Sequence, residues 1–146
     1  SGILSENQYQ LIYKLSFQIQ TLVRNKSFVS SYIFAALIFI VSSLPGSELG
    51  KVQQYPDNAF LRFLLSDPVM HWGVFAVLSG LLCYGFYQSG TNPIPLSRVI
   101  LLGIGYVLFI EIYQAILPWR SFGFDDILWG SAGMVSVTIL GGLITK

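Results

Sequence analysis

The fold is decided by residues 99–117, which read VILLGIGYVLFIEIYQAIL and carry one charged side chain, Glu111. A helix needs about 20 mostly apolar residues to cross the hydrocarbon core of a bilayer. Only helices and closed barrels span that layer, because every backbone polar group there must find its partner inside the protein. A barrel strand alternates apolar and polar residues, whereas this stretch is continuously apolar. The stretch therefore predicts a transmembrane helix.

Three further stretches lack charged side chains, and helix-breaking residues separate them. They are residues 27–47, 68–97 and 127–145. Helix-breaking residues end two of the predicted helices, namely Pro45-Gly46 after the first and Pro118 after the third. We predict transmembrane helices over residues 28–44, 69–88, 99–117 and 127–145. The predicted fold class is therefore an all-α integral membrane protein, in which residues 27–146 form a four-transmembrane-helix bundle.

The composition of the whole chain agrees with a membrane protein. Charged residues make up 10% of the 146 residues and hydrophobic residues 53%, whereas a soluble domain carries about 25% charged residues. This argues against a soluble enzyme and a disordered tail. A net charge of +1 provides no basic surface for nucleic acid. A single cysteine, Cys83, and a single histidine, His71, exclude an intramolecular disulfide and a multi-histidine site within one chain.

The N-terminal segment has a different pattern, typical of a helix that lies on the membrane surface. Within residues 3–24, apolar side chains recur at helical spacing, with glutamines and Lys14 between them. We predict an amphipathic interfacial helix on the inner surface; the alternative is a partly ordered polar leader. We interpret Ser1-Gly2 as a cloning remnant. Residues 1–26 then form the N-terminal segment and residues 27–146 the transmembrane domain.

The distribution of lysine and arginine predicts the orientation, because cytoplasmic segments of membrane proteins carry the excess of these residues. With the N-terminus in the cytoplasm, five cationic residues lie inside, namely Lys14, Arg24, Lys26, Arg98 and Lys146. Three lie outside, namely Lys51, Arg62 and Arg120. We therefore expect both termini in the cytoplasm and the lipid bilayer as a partner.

This topology brings unusual polar residues of three helices to one level at the outer face. They are His71 at the start of the second predicted helix, Glu111 and Gln114 near the end of the third, Arg120 in the following loop, and Asp125 and Asp126 at the start of the fourth. An ionisable side chain inside a span is costly and is by default a functional hypothesis. Glu111 is therefore the strongest single candidate.

The candidate catalytic residues are Glu111, His71 and Asp126, which could act as acids or bases. We expect Asp126 to point inward, because Gly130 and Gly133 follow on the same helix face and let a neighbouring helix approach closely. The candidate substrate-binding residues are Arg120, Gln114, Asp125 and Trp119. Among them, the Arg120 guanidinium suits a phosphate or carboxylate.

Structural roles remain as alternatives for the same residues. Glu111 could pair with Arg120 as a clamp that fixes helix register, and Arg120 could be an interface anchor beside Trp119. One histidine with several carboxylates could hold a hard cation. No spacing resembles a metal motif, however, so metal binding is a weak alternative, and we assign no metal ligands and no cofactor.

The order of these polar residues resembles the VanZ-like family of small integral membrane proteins. The family pattern is a histidine, then Glu-x-x-Gln, an arginine, and an aspartate before a helix rich in small residues. The matching positions are His71, Glu111, Gln114, Arg120 and Asp126, within about residues 30–140. One departure is Gly130, where the family often has an asparagine, which puts a polar contact from that position in doubt.

The resemblance implies a protein of the bacterial plasma membrane, related to low-level resistance to the glycopeptide antibiotic teicoplanin. Three functions fit the residues. The first is an enzyme acting on a lipid-linked or cell-envelope molecule whose anionic group Arg120 holds. The second is a non-catalytic protein that binds or shields a lipid headgroup or an amphipathic antibiotic, with Trp72, Trp119 and Trp129 as its aromatic rim. The third, a transporter or proton relay, ranks last because the inner half of the bundle lacks charges. The sequence does not define the oligomeric state.

Overall fold

The computed structural model describes residues 10, 14–16, 26–45 and 63–144, and in these residues all regular structure is helical. The helices are α1 (Val29–Ser43), α2 (Asp67–Gln88), α3 (Leu96–Ile116) and α4 (Phe124–Ile144). They correspond to the four predicted spans. α3 and α4 begin earlier than predicted, because Arg98 and the pair Asp125-Asp126 belong to the first turns of these helices. A prediction based on uncharged residues locates only the apolar part of a helix, so it leaves out a first turn that contains charged residues.

The length of each helix decides how many can cross a bilayer. Within the described residues, α2, α3 and α4 are long and apolar enough to span a membrane. α1 has 15 residues, fewer than the about 20 that a span requires. By length and composition, these three helices are candidate membrane spans, and the fourth span stays a prediction. Residues 10 and 14–16 are helical, but the rest of the predicted interfacial helix lies outside the described residues.

The central contact of the bundle is between α2 and α4. A Cβ atom at Gly133 would overlap the backbone carbonyl of Trp72, and one at Gly130 would lie 2.9 Å from the Phe75 ring. The prediction that Gly130 and Gly133 allow a close approach of the fourth helix is therefore confirmed. Further along the pair, the Ser79 hydroxyl lies 2.8 Å from the Thr138 hydroxyl in the buried interior.

α3 and α1 pack around this pair. Gly103 of α3 makes room for the Met134 side chain, which is fully buried. α1 packs through aromatic rings, with ring centroids of Phe39 and Tyr113 4.7 Å apart. The Tyr106 hydroxyl donates a hydrogen bond to the Ala35 carbonyl of α1. Many large apolar side chains face outward, including Leu101, which is 75% exposed. Such a surface suits a lipid environment.

We predict that Gly133→Ala destabilises the protein, whereas Gly105→Ala does not. The new Cβ at residue 133 would meet the α2 backbone, while residue 105 has nothing within 4 Å of the Cβ position. Overpacking of this kind costs about 1–3 kcal/mol, whereas alanine in an open helical position gains helix propensity. Thermal unfolding in detergent measures the difference. Equal stability of the two variants would contradict the close α2–α4 contact.

Candidate functional site

The candidate site lies at the end of the bundle where α2 begins, α3 ends and α4 begins. His71, Glu111 and Asp126 each contribute one nitrogen or oxygen atom, and these atoms lie within 4.8 Å of one another. We call these three residues the triad. Three helices each supply one member, so the α2–α4 and α3–α4 packing determines the geometry of the triad. All three residues were predicted as site residues from the sequence.

His71 and Asp126 form the accessible side of the triad. The His71 Nε2 atom lies 3.6 Å from Oδ1 of Asp126, and the two side chains are 25% and 29% exposed. This distance is longer than a hydrogen bond, and the contact is an ion pair only when the imidazole is protonated. The inward direction predicted for Asp126 is confirmed by this contact. The pair can therefore be reached by a ligand from outside the bundle.

Glu111 forms the buried side of the triad. The residue is 2% exposed, and its Oε2 atom accepts a hydrogen bond of 3.2 Å from the backbone N–H of Gly123. A backbone donor to a carboxylate is a charge-assisted hydrogen bond, which is stronger than a neutral one. The loop between α3 and α4 therefore holds the Glu111 carboxylate in place.

Sequence reasoning missed Gly123. A Cβ atom there would overlap the Asp126 carboxylate, so any side chain at this position would disturb the triad. The Gly123 carbonyl also accepts the hydrogen bond of the Ile127 N–H in the first turn of α4. A glycine immediately before the charged start of a predicted helix was the available signal, because glycine is accepted at helix N-caps.

Arg120 lies in the same loop and interacts electrostatically with Glu111. Its Nε atom is buried and has no hydrogen-bond partner. Among the described residues, no ion pair within 4 Å joins Glu111 and Arg120. The direct Glu111–Arg120 clamp that the sequence left open is therefore not formed, and a buried donor remains without an acceptor.

The other predicted site residues lie beside the triad or away from it. Gln114, one turn after Glu111 on α3, is 5% exposed. Asp125 is exposed at the start of α4 and is not a member of the triad. Trp119 is half exposed, and its indole N–H donates a hydrogen bond to the Ser43 carbonyl at the end of α1. Trp119 therefore contacts α1, and the structure does not bring it into the triad.

The side chains of the triad can exchange protons, and their oxygen and nitrogen atoms can bind a metal ion. An imidazole and two carboxylates can donate and accept protons. The same three groups are also the nitrogen and oxygen ligands that divalent metal ions take from proteins. A guanidinium on the adjoining loop adds a fixed positive charge. The site thus combines acid–base or ligating groups with an anion-binding group.

We predict that Asp126→Asn changes the NMR signals of the His71 imidazole at constant pH. The Asp126 carboxylate lies 3.6 Å from Nε2 of this ring, so loss of its charge alters the electrostatic environment of the ring. His71 is the only histidine, which makes its ring signals unambiguous in an untagged protein. Asp125→Asn is the matched control, and we expect it to leave the signals nearly unchanged. Equal changes in both variants would contradict the His71–Asp126 contact.

Comparison with known proteins identifies the family of the chain. A family model described as VanZ/LLP1 matches residues 8–144. No curated protein and no solved structure matches the chain significantly. The matched segment contains the triad, Arg120 and all four helices. Because the match covers nearly the whole chain, the protein belongs to the VanZ/LLP1 family, which confirms the resemblance found in the sequence.

Proposed function

We propose that this protein binds the anionic group of a lipid-linked or cell-envelope molecule and acts on it at the triad. The observation that carries the proposal is the convergence of His71, Glu111 and Asp126 within 4.8 Å. Such a group of ionisable side chains is expensive to place at the end of an apolar bundle. The absent Glu111–Arg120 ion pair weakens the purely structural alternative.

Arg120 supports the anionic character of the ligand. A buried donor without an acceptor costs about 1–3 kcal/mol, and the Arg120 Nε atom is such a donor. An oxygen of a phosphate or carboxylate would satisfy it, and a guanidinium can bind two such oxygens at once. We therefore assign Arg120 the role of holding the anionic group.

His71 and Asp126 supply the chemical step in this proposal. Their side chains are 25% and 29% exposed, so a bound molecule can reach them. Imidazole is the commonest general base or acid near neutral pH, and a neighbouring carboxylate orients it. Glu111 is a second acid or base, positioned by the Gly123 N–H.

The surroundings of the site favour an amphipathic ligand. Trp72, Trp119 and Trp129 are exposed on the same end of the bundle, at 40%, 49% and 46%. Tryptophan is enriched where lipid headgroups meet the hydrocarbon core. A ligand with a lipid tail would therefore reach the triad from the membrane.

The proposed location is the outer face of the bacterial plasma membrane, with both termini in the cytoplasm. The lysine and arginine distribution supports this orientation. The association of the family with teicoplanin resistance, implied by the resemblance, favours a cell-envelope molecule as ligand.

A second function, binding or shielding without catalysis, is favoured by the same exposed tryptophans. In that case the ligand leaves the site chemically unchanged. Mass spectrometry of a cell-envelope lipid fraction after incubation with the protein separates the two functions, because only the enzyme alters the mass of a component.

We predict that Arg120→Ala weakens the binding of undecaprenyl phosphate, a lipid-linked anion, by about tenfold or more, as expected for loss of a charge-assisted contact. Native mass spectrometry of the protein in detergent measures the bound fraction. Arg98→Ala is the matched control, because Arg98 is exposed at the opposite end of α3. An equal effect of the two substitutions would show that Arg120 has no specific role.

We predict that Glu111→Gln abolishes function without loss of the membrane-inserted protein. Glutamine keeps the size of the side chain and an acceptor for the Gly123 N–H, but it cannot take up or release a proton. The measurement is the teicoplanin resistance that expression confers on a susceptible bacterium. Arg98→Ala, at an exposed position at the opposite end of α3, should keep the resistance. Full resistance in the Glu111→Gln strain would rule out an acid–base role.

A further inference from the structure

We infer that His71, Glu111 and Asp126 bind a divalent transition metal ion of the Zn²⁺ and Mn²⁺ class. The inference deepens the proposed function and rests on the same site. From the sequence, metal binding was only a weak alternative, because the three residues are distributed over residues 71–126 with no motif spacing. Folding brings one ligand atom of each to within 4.8 Å of the others.

The distance between His71 and Asp126 suits metal ligation better than hydrogen bonding. Two ligands about 2.1 Å from a tetrahedral zinc ion lie about 3.4 Å apart. The His71 Nε2 and Asp126 Oδ1 atoms are 3.6 Å apart, which exceeds hydrogen-bond length. The pair is therefore spaced as two ligands of one ion, and Glu111 offers a third ligand atom within 4.8 Å of both.

Glu111 provides an independent indication of a cation. The residue is 2% exposed, and Gly123 donates to Oε2. A buried carboxylate is costly unless its charge and its lone pairs are matched. A divalent cation would match both, and it would offset the repulsion between Glu111 and Asp126.

The ligand types define the class of ion. Imidazole suits zinc, iron and nickel, and carboxylates suit manganese and magnesium. One imidazole with two carboxylates therefore favours a borderline first-row ion over soft copper(I). The lone thiol, Cys83, is in the buried middle of α2 and is not a member of the triad.

Three protein ligands leave at least one position on the ion open, as in catalytic rather than structural zinc sites. The exposed side of the triad, formed by His71 and Asp126, is where that position would face. An oxygen of the anionic group held by Arg120 can occupy it. The ion and the guanidinium would then bind the same group from two sides.

The test uses the untagged full chain in detergent, stripped of metal with a chelator, and titrates it with Zn²⁺ by calorimetry. We predict one saturable site per chain. His71→Ala, Asp126→Asn and Glu111→Gln should each weaken binding by about tenfold or more, since losing even an outer-shell partner costs 10–100-fold. Asp125→Asn is the matched control and should bind like the parent protein. If Glu111→Gln does not fold, the variants at the two more exposed positions decide the question.

Two results would overturn the metal site. One is a dissociation constant for Zn²⁺ and for Mn²⁺ weaker than about 1 mM, the weak end of functional cation sites. The other is an equal loss of affinity in Asp125→Asn and Asp126→Asn. If the protein does not bind Zn²⁺ but binds undecaprenyl phosphate in a way that depends on Arg120, the metal site is refuted and the anion-binding proposal stands. Triad-dependent Zn²⁺ binding without any effect of Arg120→Ala would support the metal site and refute the anion-binding proposal.

Discussion

The close approach of α2 and α4 is the contact on which the rest of the structure depends. At Gly133 the α4 backbone lies against the Trp72 carbonyl, with no room for a Cβ atom. Two turns earlier on α4, this proximity places Asp126 beside His71. The loop before α4 then has to pass over the end of α3, where Gly123 reaches Glu111. Two helices without small residues at this contact would be held further apart, and the triad would not assemble.

The second constraint is the burial of charge. Glu111 is almost completely enclosed, and the backbone N–H of Gly123 donates a hydrogen bond to its carboxylate. The absence of a direct Glu111–Arg120 ion pair leaves the guanidinium Nε atom unsatisfied. In this protein of the VanZ/LLP1 family, a buried carboxylate and a guanidinium therefore lie at the same end of the bundle without a direct ion pair.

Much of this arrangement could be predicted from the sequence. Uncharged stretches located four helices, because a bilayer tolerates few charges and requires a minimum apolar length. Their ends were less accurate: α3 begins at Leu96 and α4 at Phe124, since charged first turns lie outside the apolar stretch. His71, Glu111 and Asp126 were also identified from the sequence, because antiparallel helices bring the end of one to the same level as the start of the next.

The sequence by itself determined the class of protein, the approximate helices and the end of the bundle at which polar residues gather. Only the tertiary structure decided which of them meet: Asp126 joins the triad while its neighbour Asp125 is exposed, and Trp119 contacts α1. It also revealed the role of Gly123 and the unpaired Nε of Arg120. The physical reason is that helical periodicity defines the level and the face of a side chain. The distances between helices and the path of a loop depend on packing between residues that are distant in sequence.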